Sequence, residues 1–461
     1  MAMKWETLLC SERPRLSSVG GDHRAEFERD LDRAMFSTPV KRLQDKTQVF
    51  PLEPIDAIRT RLTHSLEVSA VARGFGIKAG QWLLNEGHIK PGMDRAIEAI
   101  CATCGLIHDL GNPPFGHSGE DAIRHWFTSR FGKAGPVELL GGREQLVQDF
   151  LKFEGNAQSL RLVTKLQILA DFNGLNLTFG TLSASCKYIA ASHQVQDKKA
   201  GDHAMTKPGY FASEEEIVQL MRSKTGTGDS RNPLTFLVEA ADDLVYSVAD
   251  VEDAVKKGVF PWHKIDSELR NSGDPSAQEA LTRCDKILKA GASALPKELP
   301  DDVFASAFRT AVIGIVVESA FEAFQGAYDS IMKGGYKSEL VADCTASPLV
   351  ARLKEIGGKF VYCTASNLKL ELMGRRVIGD LMDIFWEGAQ TLPTIGNPKT
   401  RFFDGKAGAL LSENYRRVFQ HSVATMPKLP ENYHRLQLVT DYVSGMTDTF
   451  AKRLHTELMN G

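Results

Sequence analysis

The chain is poor in the features that would announce a special class of protein. Its 461 residues include only seven cysteines, an odd and sparse set. That count excludes a disulfide framework and fits free thiols in a reducing cytoplasm. Charge of one sign is also missing. Lys and Arg number 55 against 58 Asp and Glu, for a net charge of -3, so a strongly cationic nucleic-acid binder is excluded. No apolar run approaches the roughly 18 to 20 residues of a membrane span; Val312 to Val317 typifies the longest. Met1 to Arg15 mixes Lys, Glu and Arg with apolar residues and has no apolar core, so no secretion signal is expected. Internal repeats and low-complexity segments are absent. Familiar nucleophile and phosphate signatures are absent too. Gly334-Gly335 lacks the Lys-Ser/Thr of a phosphate loop, and there is no Gly-x-Ser-x-Gly. Cys101 and Cys104 form a CxxC with no second pair at zinc-site spacing, and both fall on an apolar helical stripe. They read as core.

What is present is ordinary for a globular chain with a large core: 43 % apolar and 25 % charged residues. The length is a prior of about three domain-lengths. The dominant pattern is helical. Ile97, Cys101, Cys104 and His108 recur at steps of four, three and four. Leu237, Ala241, Leu244, Val248, Val251 and Val255 follow the same rule, and Leu62, Leu66 and Ala70 start a third helix. Val303 to Met332 and Glu371 to Trp386 also read as helices. Strand alternation is scarce; Val40 to Phe50 and Leu175 to Leu182 are the best candidates for a small β hairpin or edge. The spacing thus predicts a mainly α protein. Gly111-Asn112-Pro113-Pro114 stops one helix abruptly. Lys198 to Tyr210, Ser223 to Pro233 and Pro393 to Lys406 read as polar connections.

Five of the 12 histidines lie between positions 64 and 125. His64 falls at the start of a helix. His108 and Asp109 end another, where adjacent side chains about 100° apart can reach one ion. Asp242 and Asp243 interrupt an apolar helix, and a buried charge must be paired or bound to a metal. Together they suggest a mixed site of two His and two carboxylates, His64, His108, Asp109 and one of the Asp pair. Such N/O ligation suits Mn, Fe, Co, Ni, Mg or Zn with open positions. Taken one at a time, each residue could equally be a cap or a surface group. Tyr246 and Asp250 continue the Asp242 face at i+4 and i+8, and Arg61 shares a face with His64.

The run Gly105-Leu-Ile-His108-Asp109-Leu-Gly-Asn-Pro-Pro-Phe-Gly-His117-Ser-Gly-Glu120 closely resembles the HD-domain superfamily. Within it the chain resembles the deoxynucleoside triphosphate triphosphohydrolases, the dGTPase-like family. The resemblance also takes in Arg61-Leu-Thr-His64-Ser65, Phe153-Glu-Gly-Asn-Ala-Gln158 and Glu239-Ala-Ala-Asp242-Asp243-Leu-Val-Tyr246. It spans at least residues 35 to 260, and the Glu371 helix resembles the family's C-terminal region. It implies His64, His108, Asp109 and Asp242 as metal ligands, with Mn²⁺ or Mg²⁺ bound and Co²⁺, Fe²⁺, Ni²⁺ or Zn²⁺ compatible. It implies His117 and Glu120 as the catalytic pair. For substrate it implies Arg61 on phosphate, Gln48 on sugar or base, Tyr246 under the sugar and Asp250 on the 3′-hydroxyl. Lys187, Tyr188, Lys207 and Tyr210 fall in a similar stretch, but a Lys-rich loop is commonly just solvated and they receive no role.

The function implied is metal-dependent hydrolysis of a deoxynucleoside triphosphate, dGTP preferred, to the deoxynucleoside and inorganic triphosphate. The alternatives are an HD phosphohydrolase for nucleoside monophosphates or signalling nucleotides, and a non-catalytic nucleotide- or single-stranded-DNA-binding protein. The resemblance implies a cytoplasmic homo-oligomer, such as a hexamer, with single-stranded DNA or dNTP effectors and no membrane partner. No basic arm in the sequence establishes DNA binding. The expected organisation is an N-terminal segment at 1–34, an HD body with insertions at 35–340 and a C-terminal helical region at 341–461.

Overall fold

The apolar spacing at Ile97, Cys101 and Cys104 becomes a helix from Met93 to Ile107, buried along nearly its whole length. The computed structural model describes residues 2–16, 24–53, 55–167, 171–290 and 299–459. This helix packs against the helix Arg61–Asn85. Small residues allow the close approach: a Cβ added at Gly105 would lie 2.8 Å from the Ser69 Cα, and one at Gly76 would lie 2.9 Å from the Glu98 Cα. The pairing brings the rings of His64 and His108 to 5.4 Å between centroids. We expect Gly105→Ala to cost about 1–3 kcal/mol by overpacking this contact. A thermal melt checks it; an unchanged melting temperature would show that the helices can part freely.

The described residues form twenty-one α-helices and one two-stranded sheet, so the chain is mainly α as expected. The helix Pro233–Lys256 carries the Asp pair, and Asn232 caps its start by accepting from the Leu234 N–H at 3.0 Å. It packs with the helices Arg61–Asn85, Met93–Ile107 and Asp301–Met332 around one apolar core. A second core joins Phe115, Ile123 and Phe127 to Ile378, Leu381, Phe385 and Leu436. Its helices are Gly116–Phe131, Ala365–Thr391 and Glu431–Ser444.

The strand expectations need correction. Val40 to Phe50 is no strand: it holds the end of a short helix, a 3₁₀ turn and one isolated bridge from Thr47 to Thr60. Leu175 to Leu182 runs into the helix Phe179–Ala184, which Thr178 caps. The real strands, Ala190–Ala191 and Pro208–Tyr210, pair in parallel and so cannot be a hairpin. Finally, the helix Asp301–Met332 is long and apolar enough to cross a membrane by length and composition, with a mean hydropathy of 1.6 in its best window. Asp301, Asp302, Arg309, Glu318, Glu322 and Asp329 break it into short apolar runs. Half of that window is buried inside the fold.

Candidate active site

Thr60 caps the helix Arg61–Asn85, its hydroxyl accepting from the Thr63 N–H. Arg61 and His64 therefore sit in the first turn, where both line one cleft. His108 lies just past the end of its helix. Its Nδ1–H donates to the Gly105 carbonyl at 2.8 Å, which fixes the tautomer and leaves Nε2 as a lone-pair donor. That Nε2 lies 3.5 Å from Asp109 Oδ2 and 3.4 Å from Asp242 Oδ1. It is buried and hydrogen-bonds to neither, nor to any other described residue. His64 Nε2 lies 3.2 Å from the same Asp242 oxygen. Ligands around one ion at bonds of 2.0–2.2 Å stand roughly 3.0–3.5 Å apart; donor atoms of His64, His108 and Asp109 all lie within 4.8 Å of one another, a grouping open to a divalent cation, and Asp242 stands beside both imidazoles. The orphaned His108 nitrogen is the observation that tests the fit.

The electrostatics agree. Burial would push the His108 imidazole down, but Asp109 and Asp242 outweigh it and hold it well above its usual range. Burial would likewise raise both carboxyls. Arg61 and His108 hold Asp109 down instead, and His108, His64 and Lys187 hold Asp242 down. A pocket that pulls a proton onto a buried imidazole also attracts a metal cation. Asn112 Nδ2 donates to Asp109 Oδ1 at 2.6 Å, and Arg61 Nη1 contacts Oδ2. Asp243 turns away to Lys354, 3.1 Å distant.

His117 follows a tight turn in which Phe115 and Gly116 both take positive φ, 64° and 59°. The turn throws His117 into the cleft with its side chain 80 % exposed. Its Nδ1 lies 3.2 Å from Glu120 Oε2. Glu120 is buried and held in turn by the Gly155 N–H at 2.7 Å and Arg124 at 3.3 Å. The hydrogen bond that His117 donates to Glu120 is the main cause that raises the imidazole above its ordinary value.

The cleft has a volume of about 460 Å³, inside the range of small-molecule sites. Gln48, Arg61, His117 and Tyr246 line it. The Gln48 Oε1 has no partner among the described residues. Asp250 is placed differently from a wall residue: it is buried, and Tyr362 covers it. The Tyr362 hydroxyl donates to Asp250 Oδ2 at 2.5 Å and lies 2.7 Å from the Tyr246 hydroxyl. Burial pushes the Asp250 carboxyl up to about 7. Tyr362 was invisible to sequence spacing because it comes from 112 residues further on. Lys187, Tyr188 and Lys207, left without roles above, also line the cleft. Lys187 Nζ stands 3.9 Å from Asp242 Oδ2, and Lys207 Nζ 3.2 Å from Glu154 Oε1. Tyr210 does not line it; the Arg222 guanidinium lies over its ring at 5.5 Å. Cys101 and Cys104 are buried core thiols, as expected.

The cleft's rim is closed from far along the chain. Asp448 accepts from the Thr47 and Phe115 N–H groups, both at 3.0 Å. Lys46 Nζ donates to the carbonyls of Asn112 and Ser444.

Comparison with known proteins points the same way. Residues 61–142 match the HD domain, and residues 344–457 match the phosphohydrolase-associated domain. The chain is 36 % identical over 470 residues to a deoxyguanosinetriphosphate triphosphohydrolase-like protein of Listeria innocua, covering 99 % of both. It is equally similar to the corresponding protein of Listeria monocytogenes. It is 32 % identical over 486 residues to the deoxyguanosinetriphosphate triphosphohydrolase of Yersinia enterocolitica, covering 94 % of this chain and 93 % of that one.

Proposed function

The chain belongs to the deoxyguanosinetriphosphate triphosphohydrolase family, and from that premise we propose that it is a metal-dependent hydrolase of deoxynucleoside triphosphates. The products are the deoxynucleoside and inorganic triphosphate, and dGTP is the preferred substrate. The observation that carries the reading is the orphaned His108 Nε2 among His64, Asp109 and Asp242, in the same cleft as His117.

His64, His108, Asp109 and Asp242 hold the ion, Mn²⁺ or Mg²⁺, with Co²⁺, Fe²⁺, Ni²⁺ or Zn²⁺ compatible with the donors. When bound, the ion supplies positive charge that polarises the α-phosphate and makes water a better nucleophile. Arg61 spends Nε on the Thr47 carbonyl and Nη1 on Asp109, which leaves Nη2 for a phosphate oxygen. Lys187 and Lys207 add positive charge along the wall for the remaining phosphates. Water attacks the α-phosphorus and the bond to the 5′-oxygen breaks. With Nδ1 turned to Glu120, His117 donates from Nε2 to that leaving oxygen. Gln48 serves sugar or base through its free amide oxygen. Tyr246 packs under the sugar, and Asp250 acts on the 3′-hydroxyl side by way of Tyr362.

A panel of four dNTPs with Mn²⁺ and Mg²⁺, with and without single-stranded DNA, tests the reading by product analysis. Nucleoside and triphosphate are expected in equal amounts. Orthophosphate or pyrophosphate would instead assign the site to another HD phosphohydrolase. Tyr246→Ala should reduce the preference for dGTP over GTP by about 10- to 200-fold, the worth of one pocket contact. An unchanged ratio of kcat/KM values would remove Tyr246 from sugar selection.

We also propose a cytoplasmic homo-oligomer open to dNTP or single-stranded DNA effectors. The exposed neighbouring side chains Phe402 and Phe403 support a self-association surface. The organisation is an HD body at 35–340 and a helical region at 341–461, which lends Tyr362 and Asp448 to the cleft.

A further inference from the structure

One helical turn before Asp242, Glu239 points its carboxylate into a second cluster of donor atoms. The Glu239 side chain is 1 % exposed. Arg231 Nη1 holds one oxygen, Oε2, at 2.7 Å. The other, Oε1, is buried without a hydrogen-bond partner among the described residues. Facing it at 3.4 Å is His203 Nε2, which is 3.2 Å from Glu339 Oε1. That nitrogen is also buried, and it hydrogen-bonds to neither oxygen. A proton on it could be directed at only one oxygen, and the ring is aimed at neither. Lys187 Nζ, 3.8 Å from Glu239 Oε1, is too far to hydrogen-bond to it.

We infer that His203, Glu239 and Glu339 form a second site for a divalent transition cation of the zinc or manganese class. All three donor atoms lie within 4.8 Å of one another. The two nitrogen–oxygen separations match the roughly 3.0–3.5 Å expected of neighbouring ligands on one ion. Two carboxylates neutralise a double charge, and one imidazole selects transition metals over calcium. The site leaves at least one coordination position for water.

The ligands come from three segments. His203 lies on the loop that carries Lys207 into the cleft, and its N–H donates to the Lys337 carbonyl at 3.0 Å. Glu339 precedes the short helix Leu340–Asp343. Glu239 belongs to the helix that bears Asp242. The His203 ring also lies 5.7 Å from that of Tyr188, a cleft residue. A cation here staples the loop and the 337–343 segment to the helix Pro233–Lys256. It fixes where Lys207 stands and pushes Lys187 off Glu239 toward Asp242. The second ion is thus a positioning element for the cationic wall of the cleft.

The inference does not rest on the nucleotide reading, and metal counting tests it without substrate. The full chain is stripped with chelator, reloaded with Zn²⁺ or Mn²⁺, desalted and analysed by inductively coupled plasma mass spectrometry. Two equivalents are expected for the unaltered chain. One is expected for His203→Ala, one for the near-isosteric Glu339→Gln, and one for Asp109→Ala. The double variant Asp109→Ala/His203→Ala should hold none. Circular dichroism melts show whether each variant is folded, and Glu339→Gln at a half-buried position preserves shape if His203→Ala does not. In the Asp109→Ala background, Co²⁺ binding should weaken at least tenfold on adding Glu339→Gln. A single equivalent in the unaltered chain, lost with Asp109→Ala alone, would overturn the second site and leave the first intact. Retention of two equivalents by both His203→Ala and Glu339→Gln would overturn it as well.

Discussion

His117→Ala is expected to lower kcat by about 10²- to 10⁴-fold, the usual worth of a general acid, while metal content and dNTP affinity stay unchanged. The 5′-oxygen would leave as an alkoxide, which is why its proton matters. Two features of the structure isolate this role. His117 is exposed in the cleft, so its removal leaves no core cavity. It is also absent from the four-residue ligand cluster, so the ion should remain. Loss of metal in this variant would instead make His117 a ligand or a structural group. The pH profile is a second readout. In the proposed mechanism the acid form of His117 is the working form, and Glu120 holds its value above the ordinary 6.5. Activity should therefore persist through that value and fall only as pH rises beyond it. Glu120→Gln removes the principal cause of the shift, so the alkaline fall should move to lower pH. A fall at the same pH in both proteins would detach Glu120 from the imidazole.

Asp109→Ala should abolish turnover to the detection limit and remove the first ion, an outcome unlike that of His117→Ala. Asp109 meets three demands at once: it faces His108 Nε2, pairs with Arg61 and accepts from Asn112. Its loss leaves the buried Arg61 guanidinium without its carboxylate, at a cost of about 1–3 kcal/mol to the metal-free fold. The measurement pairs metal analysis with a melt of the chelated protein. Turnover that recovers in excess Mn²⁺ would show that the remaining three side chains suffice.

Legibility in the sequence followed distance along the chain. The helices holding Ile97–Cys101–Cys104 and Leu237–Val255 were readable because a period near 3.6 is a local signal. His64, His108, Asp109, Asp242, His117 and Glu120 stood out because short motifs carry them; the structure groups His64, His108 and Asp109, with Asp242 beside the two imidazoles. Asp250 shows the limit of that logic. Its i+8 spacing put it on the right helix face, but depth is decided by what packs on that face, and Tyr362 packs there. The alternation at Val40 to Phe50 misled for a related reason. It arises in a segment folded around Asp448 and the Arg61 helix, where buried positions follow tertiary contacts and not a pleat. Glu239 stands inside the Glu239–Tyr246 motif, yet its partners His203 and Glu339 lie on separate segments with no shared period.

The clasp of Asp448 on Thr47 and Phe115 spans 401 and 333 residues, and this gives the enzyme a timetable. Every side chain proposed as a metal ligand or general acid has been synthesised once residue 242 is joined. The turn that aims His117 and the wall that carries Gln48 still lack their anchor. At about 5–20 residues per second, roughly 10 to 40 s more of translation separates residue 242 from residue 448. A growing chain on the ribosome thus carries all of that chemistry before it carries the geometry. A product interrupted or clipped before residue 448 lacks this anchor and is expected to be inert toward the precursor pool.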